Sequence, residues 1–129
     1  MDKLTSTMVE QIADVVSAFQ KQSTGHAPKA VSVVLSEDTL VITLHEALSP
    51  VERVLAESVE GAAQVQEYHR QLFSTSSETL RQDIQRISGR QIRESMVETE
   101  PLTGAIVHAF TSGTMVQVFL FTPRTLAVG

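Results

Sequence analysis

Apolar residues recur along the first part of the chain at Leu4, Met8, Ile12, Val15 and Phe19, with steps of four, four, three and four. That spacing places them on one face of a helix, which Gly25 and Pro28 then end. Thr7 and Glu10 have capping-box spacing, and Asp2 is an equally good N-cap. From Lys29 to His45 the period drops to two. Ala30 to Leu35 and Leu40 to Leu44 are β-branched runs flanking Ser36-Glu37-Asp38-Thr39, so a hairpin is expected. Leu40, Ile42 and Leu44 share the face suited to the core, while Val41, Thr43 and His45 take the other.

Ser49-Pro50-Val51-Glu52 predicts a helix starting at Pro50. Ser49 can cap it, Pro50 has the backbone angle of a first helical residue, and Glu52 can close the box. This helix should be short, because Ser58 can cap a second start and Gly61 weakens whatever crosses it. Val65, Tyr68, Leu72, Phe73, Leu80, Ile84 and Ile87 then fall on one stripe at 100° per residue. The stripe keeps its phase across Ser74 to Ser77, so one continuous helix over 62–87 is expected, stopped by Gly89. Val65, Leu72, Leu80, Ile84 and Ile87 should lie on the sheet.

Strands are expected over Gln91 to Glu100, Ala105 to Phe110 and Met115 to Phe121. The last two echo each other: Gly104-Ala105-Ile106-Val107-His108-Ala109-Phe110 aligns with Gly113-Thr114-Met115-Val116-Gln117-Val118-Phe119. A turn at Ser112-Gly113 would pair them. The resulting fold class is α+β: an antiparallel sheet of four to five strands in two hairpins, packed against one long helix, with an N-terminal helix and a short capped one. Residues 1–121 read as one domain, and 122–129 as a loose tail.

Composition narrows the chemistry. The chain of 129 residues contains no cysteine and carries a formal net charge of −5. Thiolate metal sites, thiol nucleophiles and disulfides are therefore excluded. Lys and Arg are scattered, which argues against nucleic acid as a partner. The opening Met1-Asp2-Lys3-Leu4 lacks the basic and apolar regions of a signal peptide, so a cytoplasmic location is expected. Pro101 to Pro123 holds no Asp, Glu, Lys or Arg and is long enough to span a bilayer as a helix. Gly104, Ser112, Gly113, His108 and Gln117 interrupt it, and two strands explain it better than a transmembrane segment does.

The candidate chemistry is sparse. No two of His26, His45, His69 and His108 have the spacing that sets metal ligands on one helical face, so neither a metal nor another cofactor is expected. His69 falls within the apolar stripe, where a polar ring needs a partner. A core histidine bonded to backbone or hydroxyl explains it more simply than catalysis, and Tyr68, His69 and His45 are the candidate ligand-binding residues. His45-Glu46 could handle protons, but neighbouring strand residues point to opposite faces. Glu52 is explained by capping and Arg53 by a solvated face. The serines at Ser74 to Ser77 lack a Gly-rich loop, a lysine partner or a nucleophile elbow, so no enzyme motif survives.

Taken in order, Gly25-His26-Ala27-Pro28-Lys29, Leu35-Ser36-Glu37-Asp38-Thr39-Leu40-Val41, Leu48-Ser49-Pro50-Val51-Glu52-Arg53, Glu60-Gly61 and Arg86-Ile87-Ser88-Gly89 resemble successive motifs of the MpsC-like family. These proteins are named for a sodium-translocating, membrane potential-generating system, and the resemblance extends over residues 5–121. It implies an accessory or regulatory interaction module for a membrane ion-translocating complex, cytoplasmic and peripheral to the membrane. It brings no catalytic residues. The alternatives are a small-ligand sensor with a pocket between sheet and long helix, and an enzyme using His45 or His69. A homodimer is expected because the C-terminal strands carry apolar residues on both faces. Val107, Phe110, Val116, Phe119 and Phe121 are its candidate interface.

Overall fold

The computed structural model describes residues 3–76, 78–92, 105–109 and 113–122, with the backbone alone described for 3–5 and 105–109. In chain order the elements are α1 (Lys3–Thr24), β1 (Ala30–Ser36), β2 (Thr39–His45), α2 (Pro50–Leu55), α3 (Val59–Ser76), α4 (Glu78–Ser88), β3 (Ala105–Ala109) and β4 (Met115–Leu120). The fold is α+β. The strands form one antiparallel sheet in the order β1-β2-β4-β3. β1 and β2 make the expected hairpin, with Val33 opposite Ile42 and Ser36 opposite Thr39.

Side-chain alternation sets which face is covered. Leu40, Ile42 and Leu44 of β2 are buried, as are Met115, Gln117 and Phe119 of β4, while the residues between them are not. Register brings these into rows, Leu40 beside Phe119 and Leu44 beside Met115. The helices complete this core with Ile12 and Val16 from α1, Val65 and Phe73 from α3, and Leu80 and Ile84 from α4. The Phe73 and Phe119 rings meet with centroids 5.7 Å apart. α1 lies over β1 and against α4, and α3 lies over β3.

Helix ends follow their local chemistry. Gly25 takes φ +81° and donates its N–H to the Lys21 carbonyl at 2.8 Å, ending α1 in the left-handed conformation that glycine tolerates. Gly89 ends α4 the same way, bonding Gln85. The α2 cap is as expected, with Pro50 at its start and a complete box between Ser49 and Glu52. Ser58 caps α3 by accepting the Gly61 N–H at 2.9 Å.

Some expectations need correction. The buried stripe of α1 is Ile12, Val16 and Gln20, with Met8, Val15 and Phe19 flanking it, so the packed face is rotated from the one the four-residue steps mark. The helix expected over 62–87 is found as α3 and α4, beginning earlier at Val59, with Ser77 outside the described residues. Val65, Leu80 and Ile84 are buried as expected, whereas Leu72 and Ile87 are half-buried and Phe73 fills the central position instead. Of the strand expected from Gln91, only the bridge of Ile92 to Phe121 falls among described residues. Thr122, expected in a loose tail, donates its N–H to the Gln91 carbonyl at 2.8 Å; residues 123–129 lie outside the description.

Phe119 and Phe121, expected at a subunit interface, are both buried within the chain. They are two residues apart on a strand and so share the core face, and their area is already used. Val116 lies on the opposite face and is half-buried. For Val107 the described backbone gives a pairing with Gln117; Phe110 lies outside the described residues.

Candidate functional site

The polar centre of the molecule joins α2 to α3. Capping draws the Glu52 carboxylate back over the start of its own helix, where Oε1 accepts the Ser49 N–H at 2.9 Å and the Ser49 hydroxyl at 3.1 Å. The other oxygen, Oε2, is left to accept from His69 Nε2 at 2.7 Å. A carboxylate offers only acceptors, so Nε2 is the protonated nitrogen of the ring. His69 is buried, and its ring meets that of Tyr68 in a T-shaped contact with centroids 5.1 Å apart. Thus the partner of His69 is a carboxylate, not the backbone or hydroxyl group expected, and Glu52 both caps α2 and fastens it to α3. The link spans 17 positions in sequence.

His45 stands elsewhere. It is exposed at the end of β2, on the face away from the core, and its Nε2 is 3.2 Å from the Ser32 hydroxyl. His26 Nε2 meets the Glu46 carbonyl at 3.1 Å. The structure therefore brings Tyr68 and His69 together and leaves His45 apart on the outer side of the sheet. Among the described residues no group of three or more His, Asp or Glu is placed to hold a metal ion.

One hollow meets the His69 ring, and another meets its partner Glu52 and its neighbour Tyr68. Inward, between α1, α3 and the sheet, Gln20, Phe73, Met115 and Gln117 enclose about 10 Å³. That is room for about one water, far below the roughly 300–1,000 Å³ of a small-molecule pocket. Outward, an open groove of about 430 Å³ runs between α2 and α3, lined by Ser49, Glu52, Leu55, Gln64, Val65 and Tyr68 with Thr24 of α1. Capping residues form its polar part, and Leu55 and Tyr68 form apolar walls.

A second cluster lies at the opposite end of the sheet and has no precursor in the sequence reading. Arg90 bonds the Glu37 carbonyl at 2.8 Å, pairs with the Asp38 carboxylate, and reaches the Thr122 carbonyl at 3.3 Å. Its guanidinium sits 4.9 Å from the centre of the Phe121 ring. One side chain thereby ties the β1–β2 turn to the end of β4 and to the segment after α4. The available signal is an arginine just past the Gly89 stop, which local rules assign to solvent.

Similarity to known proteins adds a family. The model for the Na+-translocating membrane potential-generating system (MpsC) matches residues 5–113. The uncharacterized protein YbcI of Bacillus subtilis (strain 168) is 23% identical over 110 residues, covering 85% of this chain and 89% of its own. No solved structure matches the chain.

Proposed function

Because the chain belongs to the MpsC family of the Na+-translocating membrane potential-generating system, we propose that it is a non-catalytic accessory or regulatory module of a membrane ion-translocating complex. The family match over residues 5–113 carries this reading. No helix among the described residues is long and apolar enough to cross a membrane. The most conspicuous polar pair, Glu52 and His69, is already committed to holding α2 against α3. In this reading the protein works in the cytoplasm, at the periphery of the membrane.

Self-association belongs to the same proposal. The core occupies one face of the sheet, and the outer face offers Val34, Val41, Val116, Val118 and Leu120, with no Asp, Glu, Lys or Arg among the outward positions of β1, β2 and β4. Two copies stacked on this face would cover it symmetrically.

The test is fractionation of host cells, followed by a membrane-potential measurement in a strain lacking the protein. Recovery with membranes and a sodium-dependent potential defect restored by the wild-type chain are expected. A protein found only free of membranes, in a strain whose potential is unchanged by its loss, would overturn the reading.

A further inference from the structure

Helix α2 is built inside out. At 100° per residue Val51, Val54 and Leu55 make one stripe about 100° wide, and an amphipathic helix ordinarily buries such a stripe. Here α2 buries none of its residues. The side turned inward carries Glu52, held by His69, while Arg53 lies toward Gly113, where a Cβ would come within 3.5 Å of its Nε. Among the described residues, five of the six large apolar side chains left exposed are Val51, Val54, Leu55, Val59 and Tyr68, at 46% to 87% exposure. Scattered surface apolar residues need no explanation; a concentration on α2 and the facing part of α3, with Leu55 and Tyr68 lining the groove between them, does.

The groove between α2 and α3 continues this stripe, since Leu55 and Tyr68 both line it. Two acids adjoin its lining. Glu57, in the connection between the helices, and Glu60, one turn before the groove residue Gln64, are exposed. Neither has an ion-pair partner among the described residues. Arg53 faces the other way, and Arg70 is taken up by Glu67.

We propose that the α2–α3 groove is the docking site for a basic amphipathic segment of a partner protein, its apolar side chains on Val51, Val54, Leu55 and Tyr68 and its lysines or arginines on Glu57 and Glu60. Helix-in-groove recognition uses this combination of an apolar seat and a charged rim. An anionic membrane surface would be repelled by the same glutamates, and a second copy would bring an identical acidic rim against them. The proposal rests on the accessory reading for where the partner belongs, in the membrane complex.

The experiment uses the full chain, isotopically labelled, and a synthetic amphipathic peptide of Leu and Lys, with its Leu and Glu counterpart as control. Saturable NMR shifts at Leu55, Gln64 and Tyr68 are expected for the Lys peptide only, weakening with salt. Val54→Asp, and separately Glu57→Lys with Glu60→Lys, should each weaken binding about tenfold, the scale of losing one anchor. Both sets of positions are exposed, and Val51→Asp serves as a second apolar variant should Val54→Asp not fold. Equal binding by folded variants, shifts mapped elsewhere, equal affinity for the Glu peptide or for phosphatidylglycerol vesicles, or self-association abolished by Val54→Asp would each overturn the proposal. Membrane recovery separates it from the accessory reading. Wild type and Val54→Asp recovered equally would sink the groove alone, and peptide binding without membrane recovery of either would sink the accessory role alone.

Discussion

Glu52 and His69 meet at 2.7 Å across the α2–α3 junction, with the second carboxylate oxygen spent on the Ser49 cap. Removing the carboxylate deletes a cap and strands a buried imidazole donor in one step. Glu52→Ala is expected to cost about 3 kcal/mol, the lower end for a broken buried pair because Glu52 is partly solvated. Glu52→Gln keeps an acceptor for one side and should retain much of the stability. Urea denaturation of both variants beside His69→Ala and the double variant checks this; additive single effects would show that the pair does not act as a unit.

Gly61 is required by a close approach. A Cβ at this position would stand 1.8 Å from the Leu55 carbonyl oxygen, a backbone atom that cannot move without shifting the end of α2. Gly61→Ala should therefore destabilise by about 1–3 kcal/mol despite alanine's better helix propensity. Gly89→Ala meets no neighbouring atom and should cost only its left-handed backbone strain, about 1–2 kcal/mol. Thermal melting of the two variants, with circular dichroism of α2, distinguishes collision from strain.

Local chemistry made much of this fold legible. Ser49 and Glu52 announce their box, Gly25 and Gly89 their stops, and Leu40, Ile42 and Leu44 their face, because each depends on neighbours within four positions. What the sequence hid depends on distance along the chain. The partner of His69 lies 17 residues away and that of Arg90 52 residues away, so no local rule could pair them. The packed face of α1 departs from its apolar spacing because burial of Gln20, whose amide points at Met115 Sδ at 3.8 Å, is set by the sheet beneath it. The outward stripe of α2 is illegible for the opposite reason: patterning assumes that apolar faces point inward.

Acid titration should show Glu67 below the usual carboxylate range. The hydrogen bonds from Arg70 lower it most; desolvation opposes them, and a bond from Gln71 and the charge of Arg70 add smaller contributions to the lowering. A carboxyl whose folded pKa is lowered contributes stability that is fully present above its unfolded pKa and is lost as pH falls through the folded one. The pair is on the surface, so the shift should shrink in high salt and disappear in Arg70→Ala. Carboxyl-carbon NMR titration measures it directly; an unchanged midpoint in Arg70→Ala would remove the cause.

Arg90 is expected to be the residue whose loss loosens the far end of the sheet. Its bonds to the Glu37 and Thr122 carbonyls and to Asp38 need a planar fork, which lysine lacks. Arg90→Lys should thus recover little of the roughly 2–4 kcal/mol lost in Arg90→Ala, a range that combines charged hydrogen bonds with packing on Phe121. Amide exchange in both variants should quicken at Phe121, whose N–H bonds the Asp38 carbonyl at 2.8 Å, before it quickens at Leu44. Uniform acceleration along β2 would mean that the clamp is not local.

The two faces of β4 give opposite expectations, and together they test self-association. Phe119 is buried among Leu40, Phe73 and its other core neighbours, so Phe119→Ala should cost about 3–5 kcal/mol by lost transfer energy and a cavity. Val118, the adjacent residue, points to the outer face beside Val41, in a row where Val34 stands 59% exposed. An aspartate there meets water in a monomer and costs little, but in stacked sheets it meets its apolar partner without a counter-charge. Sedimentation equilibrium should therefore find a wild-type dimer that Val118→Asp dissociates while its fold and melting under dilute conditions remain near wild type. Phe119→Ala should melt early, and where folded it should associate as the wild type does. A wild type that stays monomeric at high micromolar concentration would remove the dimer, and a dimer indifferent to Val118→Asp would move its interface away from this face.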